Sequence, residues 1–330
     1  MSINNNKQVT NKSGPLVKEM QKRFSEFIKT NADQFDEEDI KRISEDDFFV
    51  KRFLISRKRN VDSAFKMMIE TLKWIKREDF RRLKPNHFPS EFYTIGVLFD
   101  YEPDLEGNFT IYIRVKYILR CGPMVPHAIK WASKFFYDLD VKLQGAFYTV
   151  LIDFQGCGVK NAEFEFIWHA INIMRTYLPA CLKQILVIDM PKIFKFGWLI
   201  VKQLVPESER SILKFISRQQ LFDFIDPKNV PEFLGGSCTR PCQGPLMVPK
   251  GCPTAIEYGL SKGVPLDQCL KVAKIYEPII KEQNLYKMVD KDEDFVSRVE
   301  SELKCRSEGK PLEKSSLTVE QPGQDSLQSV

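Results

Sequence analysis

Two short runs constrain this chain more than anything else in it: FYTVLIDF at Phe147–Phe154 and QILVIDM at Gln184–Met190. Both are apolar at nearly every position. A half-buried strand alternates apolar and polar residues, so a strand with almost no alternation is covered on both faces. A segment with helical spacing, Asn161 to Tyr177, lies between them and must end near Pro179. Strand, helix and strand in this order read as a βαβ unit in a mainly parallel sheet. The texture continues on both sides. Phe92–Tyr101, Phe109–Ile118 and Ile212–Ser217 read as strands, and Val125–Asp140 and Lys192–Val205 as helices.

Ahead of this region the period changes. Between Val61 and Lys76, the apolar residues Val61, Ala64, Phe65, Met68, Ile69, Leu72 and Ile75 recur at spacings of three and four. They form one stripe with Lys66, Lys73 and Lys76 off it. Residues 16–84 therefore read as a helical subdomain. Its charges are segregated, acidic from Asp33 to Asp47 and basic at Lys51, Arg52, Arg57, Lys58 and Arg59. Solvated helix faces that pair with one another are the expected arrangement. Residues 85–237 form the α/β domain, and 238–305 a loop-rich extension with a helix near Leu266–Gln283 that Pro278 interrupts. The polar stretches 1–15 and 306–330 are expected to be disordered.

Composition excludes several classes. With 43% hydrophobic residues and 25 Phe, the chain is not disordered as a whole. A net charge of +5 is too mild to argue for nucleic acid. No apolar run approaches the ~20 residues that span a bilayer. The polar start shows no apolar core of a secretory leader, so the eight cysteines are expected to be free thiols in a cytoplasmic protein.

Catalytic signals are sparse. The three histidines, His87, His127 and His169, form no metal-binding pair, and no nucleophile elbow or phosphate loop is present. Gly156-Cys157-Gly158 follows a strand, but Asn161 stands where a dinucleotide loop needs its third glycine. Cys238, Cys242, Cys252 and Cys269 lack the two tight pairs that zinc prefers. Asp153 and Asp189 end apolar strands, where carboxylates most often bond loop amides. The expectation is no cofactor, no metal and no enzymatic activity.

The segment Lys192–Val205 (KIFKFGWLIVKQLV) is apolar over most of its circumference. Lys192, Lys195 and Lys202 fall within an arc of roughly 80° on a helical wheel. Either it is a core helix whose lysines reach outward, or one face covers an apolar cavity while the other meets a membrane. Arg210, Lys214 and Arg218 extend the basic edge, against Glu207 and Glu209 alone.

The pieces FYTVLIDFQG (Phe147–Gly156), TYLPACLKQILVIDMPKIF (Thr176–Phe194) and VPEFLGG (Val230–Gly236) resemble the CRAL-TRIO (Sec14-like) lipid-binding family. Asp46–Glu78 resembles that family's N-terminal helical module. Several motifs stand in the right order and spacing, and the likeness spans about residues 35–237. Within the family it is closest to the CRAL-TRIO part of motile-sperm-domain-containing proteins, carried by RVKY (Arg114–Tyr117) and ILKF (Ile212–Phe215). The resemblance implies an α/β fold: an N-terminal helical subdomain, then a mixed, mainly parallel five-stranded sheet whose covering helices enclose an apolar pocket. Lys192–Val205 would be the mobile gate. The implied function is non-enzymatic binding and transfer of a phospholipid or other hydrophobic molecule. The pocket would be lined by Ile152, Phe154, Ile167, Ile171, Met174, Ile188, Met190, Ile193, Phe196, Leu199, Ile200 and Leu204. The edge Lys192, Lys195, Lys202, Arg210, Lys214 and Arg218 would approach an anionic membrane.

Some inositol-lipid binders of the family carry Lys where this chain has Phe233, and others carry a Glu that stands here one residue earlier, as Glu232. Ile171 and Phe196 replace more polar surroundings. These departures point to a more apolar ligand or a degenerate pocket. A ligand-free scaffold at membrane surfaces is the alternative. Asp294, Phe295, Ser297 and Glu300 loosely resemble the acidic-Phe peptides that motile-sperm domains bind, at a level that chance often produces.

Overall fold

The computed structural model describes residues 13–119, 121–158, 181–191 and 211–282, together with 161, 166, 169, 172, 173 and 175–179. Four helices come first: α1 (Gly14–Phe27), α2 (Glu37–Glu45), α3 (Asp47–Ser56) and α4 (Val61–Glu78). The α1 helix thus begins inside the stretch expected to be disordered. Side chains set the starts of α3 and α4. Asp46 accepts from the Phe49 N–H at 2.9 Å to open α3, and Asn60 from the Ser63 N–H at 2.8 Å to open α4. Asp79, in the left-handed region at φ 57°, closes α4. The stripe read from the sequence is the buried face of α4: Ala64, Met68, Ile69, Leu72 and Ile75.

The expected mutual pairing of charges takes a different form. Asp36, Glu38 and Asp39 converge on Arg81 beyond α4, not on the basic run 51–59. Arg52 turns inward to Asp140.

A short helix, α5 (Ser90–Thr94), precedes strand β1 (Leu98–Tyr101). The single strand expected over Phe92–Tyr101 is therefore corrected. Its first third is helical because Pro89 suits a helix entry and Gly96, at φ +66°, turns the chain before β1. No side chain fits at Gly96, since a Cβ would lie 2.5 Å from the Cys242 carbonyl oxygen. Strand β2 (Phe109–Arg114) stops four residues short of the expected end and passes into a tight turn, Val115–Tyr117. Then follow α6 (Val125–Leu143), β3 (Tyr148–Asp153), β4 (Leu182–Ile188) and β5 (Leu213–Ile216), with α7 (Ala255–Ser261) and α8 (Leu266–Glu282) last. Helix α8 continues through Pro278. The lost backbone bond is tolerated because Ile280, beyond the proline, packs with Ile95 and Tyr117.

The strand order is β1-β2-β3-β4-β5, with β1 antiparallel to β2 and the rest parallel. Ile152 sits in register between Ile113 and Val187. Because side chains alternate along a strand, the sheet has two different faces. One carries Leu98, Ile111, Ile113, Val150, Ile152, Ile185 and Val187, in the same core as the N-terminal helices and α6. The other carries Phe99, Tyr101, Tyr112, Leu151, Leu186 and Ile188, covered by Leu221, Ile225, Val230 and Leu234.

Candidate functional site

The helix-covered sheet face is the natural floor for an apolar site. Ile152 and Phe154 lie on it, and Met190 packs at its margin. Ile188 does not. It points to the opposite face beside Leu186 and Leu221, so it leaves the expected lining. Ile167, Ile171, Met174, Ile193, Phe196, Leu199, Ile200 and Leu204 lie outside the described residues, as do Lys192, Lys195, Lys202 and Arg210. So do Asp294, Phe295, Ser297 and Glu300.

An apolar cavity of about 70 Å³ adjoins this face. Phe92, Ile95 and Val97 wall it where α5 leads into β1. Ile118, Leu119, Cys121 and Met124 come from the stretch between β2 and α6, and Ala128 and Trp131 from the first turns of α6. Val272, Ala273 and Tyr276 of α8 close it. Phe166 and Ile118 belong both to this wall and to the core over the sheet, so the cavity borders that core. Among the described residues of the wall, Glu91 is the charged one. Its carboxylate accepts from the Ala255 N–H at 2.7 Å and the Ser90 hydroxyl at 3.0 Å. At roughly 24 cal/mol per Å³, a packing gap of this size forgoes about 2 kcal/mol. Reading the sequence missed the walls from α5 and α8. Helical spacing in Leu266–Glu282 marks an apolar stripe but not what it faces.

At the carboxyl ends of β2 and β3 the chemistry is polar. Arg114 and Asp153 are register partners, both almost fully buried. The Arg114 guanidinium donates to Gln243 Oε1 at 2.7 Å and lies 3.8 Å from the Phe233 ring centre. Phe233 thus offers a π-face to a cation. A lysine there would meet a like charge at close range. Asp153 accepts from the Gln155 N–H at 2.9 Å, the loop-amide role read from the sequence. Burial holds its carboxyl above the usual range, against the pull of that N–H and of Arg114. A raised carboxyl binds protons in the folded state that the unfolded chain has released, so its contribution to stability falls as pH rises above 3.8 toward the folded value. Thermal melts across that window should show wild type gaining on Asp153→Asn as pH is lowered. A pH-independent difference would contradict this.

The second strand-end carboxylate, Asp189, pairs with Arg218 at 2.8 Å, and Arg218 also donates to the Phe233 carbonyl at 3.2 Å. Lys214 is exposed on β5, donates to Gln184 Oε1 at 2.8 Å and sits over the Phe224 ring. Of these two cations in the basic edge, Arg218 is neutralised locally. Burial pushes the Cys157 and Cys181 thiols up to about 12, which keeps them protonated and weak as nucleophiles. Near α7, His127 approaches the Tyr258 hydroxyl at 3.4 Å, with burial holding its pKa below the ordinary value. Among the described residues, no helix is long and apolar enough to cross a membrane.

Comparison with known proteins meets this geometry. Protein real-time of Drosophila melanogaster is 24% identical over 238 residues, covering 61% of this chain and 34% of its own length. CRAL-TRIO domain-containing protein C3H8.02 of Schizosaccharomyces pombe is 25% identical over 216 residues, 60% of this chain and 48% of that protein. The chain therefore spans between a third and a half of these relatives. The crystal structure of Sfh5 superposes with a TM-score of 0.51 at 15% identity, covering 79% of this chain and 97% of that one, a likeness of fold. Residues 91–236, the α/β part of this chain, match the family model described as "CRAL/TRIO domain".

Proposed function

We propose that this chain binds one hydrophobic lipid molecule against the sheet face of Ile113, Ile152, Phe154 and Val187, and carries it between membranes without covalent chemistry. The apolar cavity beside this face, walled in part by the stretch that matches the CRAL/TRIO family, carries the reading. Members of that family in general bind hydrophobic small molecules. Parallel crossovers are right-handed as a rule, so in this reading the connection from β4 to β5 would pass over the same face. In this reading Lys192–Val205 is the gate there, and its swing exposes the floor to a membrane. Each buried methylene contributes roughly 0.8 kcal/mol, enough for an acyl chain to be held by burial alone. Lys192, Lys195, Lys202, Arg210 and Lys214 would add roughly 1 kcal/mol each near an anionic surface. Arg218 adds least, because Asp189 neutralises it.

The size of the cavity favours the second reading, a ligand-free scaffold, since about 70 Å³ is below the ~150 Å³ that accepts benzene. Native mass spectrometry after incubation with mixed-lipid vesicles separates the two. The expected result is one lipid mass per chain. Protein free of lipid in every preparation would overturn the proposal and leave the scaffold.

A further inference from the structure

We propose that the cavity under α8 receives the far end of a single apolar chain, and that Val272 and Ala273 set the length of chain accepted. This rests on the lipid-binding reading above and adds the shape of the ligand. The closing wall comes from residues beyond the domain matched at 91–236, so the extension would complete the compartment. Phe166 and Ile118 border the cavity and also pack in the core over the sheet, so the cavity lies directly beside the proposed floor.

The described wall is mostly apolar, and its polar groups are few. The Glu91 carboxylate is engaged by Ala255 and Ser90, and the Tyr276 hydroxyl donates to the Tyr117 carbonyl at 3.3 Å. The volume, about 70 Å³, takes about two groups of water size at ~30 Å³ each. That is the tip of a chain, not a ring or a polar head. Helix α8 is a firm stop. Gly259 of α7 comes so near that a Cβ there would lie 2.6 Å from the Cys269 Sγ of α8, and Ile280 anchors the far turn on Ile95 and Tyr117. Ala273 is buried on this wall, so a larger side chain would extend into the cavity.

The test uses the full chain with lauric, palmitic, stearic and arachidic acids, each also with bromine on its terminal carbon. Trp131 lines the cavity, so terminal bromine should quench its fluorescence, and Trp131→Phe should abolish that component. Ala273→Val fills about two carbons of the space. It should keep or raise the melting temperature, leave lauric acid binding unchanged and weaken the longest acid that binds by about tenfold. Val272→Leu should shift the preference the same way, and serves if Ala273→Val folds poorly. An unchanged length profile in a folded variant, or quenching that persists in Trp131→Phe, would overturn the proposal. Failure of every acid while vesicle lipid is still taken up would overturn this proposal alone. Failure of both would remove the lipid-binding reading with it.

Discussion

Replacing Arg52 with Ala should cost about 3–5 kcal/mol of stability, the range for breaking a buried pair from one side. Arg52 stands on α3, yet its partners come from far along the chain. Its guanidinium pairs with Asp140 of α6, donates to the Pro179 carbonyl at 3.0 Å and to Cys181 Sγ at 2.7 Å. The Cys181 thiol in turn donates to the same carbonyl at 3.0 Å. Truncation would strand the Asp140 charge, only 15% exposed, and leave the Pro179 carbonyl without the stronger of its donors. Urea unfolding gives the measurement. The paired change Arg52→Met with Asp140→Leu should recover more than half of the loss, because it removes both charges together. A loss below about 1 kcal/mol for Arg52→Ala would mean that the pair behaves like a surface salt bridge.

Gly236→Ala should be the most damaging change in the loop that closes the second sheet face, at about 3 kcal/mol. A Cβ at Gly236 would lie 2.0 Å from the Val230 carbonyl oxygen and 2.5 Å from its carbon. These are backbone atoms that cannot rotate away. Val230 is held in turn, since its carbonyl accepts from the Cys238 N–H at 3.0 Å and its side chain is fully buried with Leu234. The neighbouring Gly235 has φ +87° and nothing nearer than 3.9 Å to a Cβ. Gly235→Ala should therefore cost only the left-handed backbone penalty, about 1 kcal/mol. Thermal unfolding of the two variants checks the order. Equal losses would mean that the close approach at Gly236 relaxes freely. The two glycines of VPEFLGG thus serve different needs, one of conformation and one of space.

Much of the sheet was readable because β3 and β4 are apolar at nearly every position, and that pattern has few other homes. The same property hid the face of Ile188. A strand without alternation does not say which of its side chains share a side, and only register against Ile113 and Ile152 settles it. The helical start of Phe92–Tyr101 was hidden by its apolar, β-branched composition. Pro89 and Gly96, which decide it, act through backbone conformation. Arg52 looked like a solvated helix charge because its partner is 88 residues away. The cavity wall of α8 escaped for a related reason. Val272, Ala273 and Tyr276 form an ordinary apolar stripe until the fold brings them against Trp131 and Ile95.

One core runs from Val17 and Phe53 of the N-terminal helices to Val150 and Val187 of the sheet. Its consequence concerns cooperativity. A fragment cut near residue 85 would expose Tyr177 and Tyr137, on which Trp74 and Phe80 stack, and the helices left behind would lose the surface that orders them. The stretch that matches the CRAL/TRIO family should therefore be shorter than the smallest piece able to fold, and the two halves should melt in a single transition.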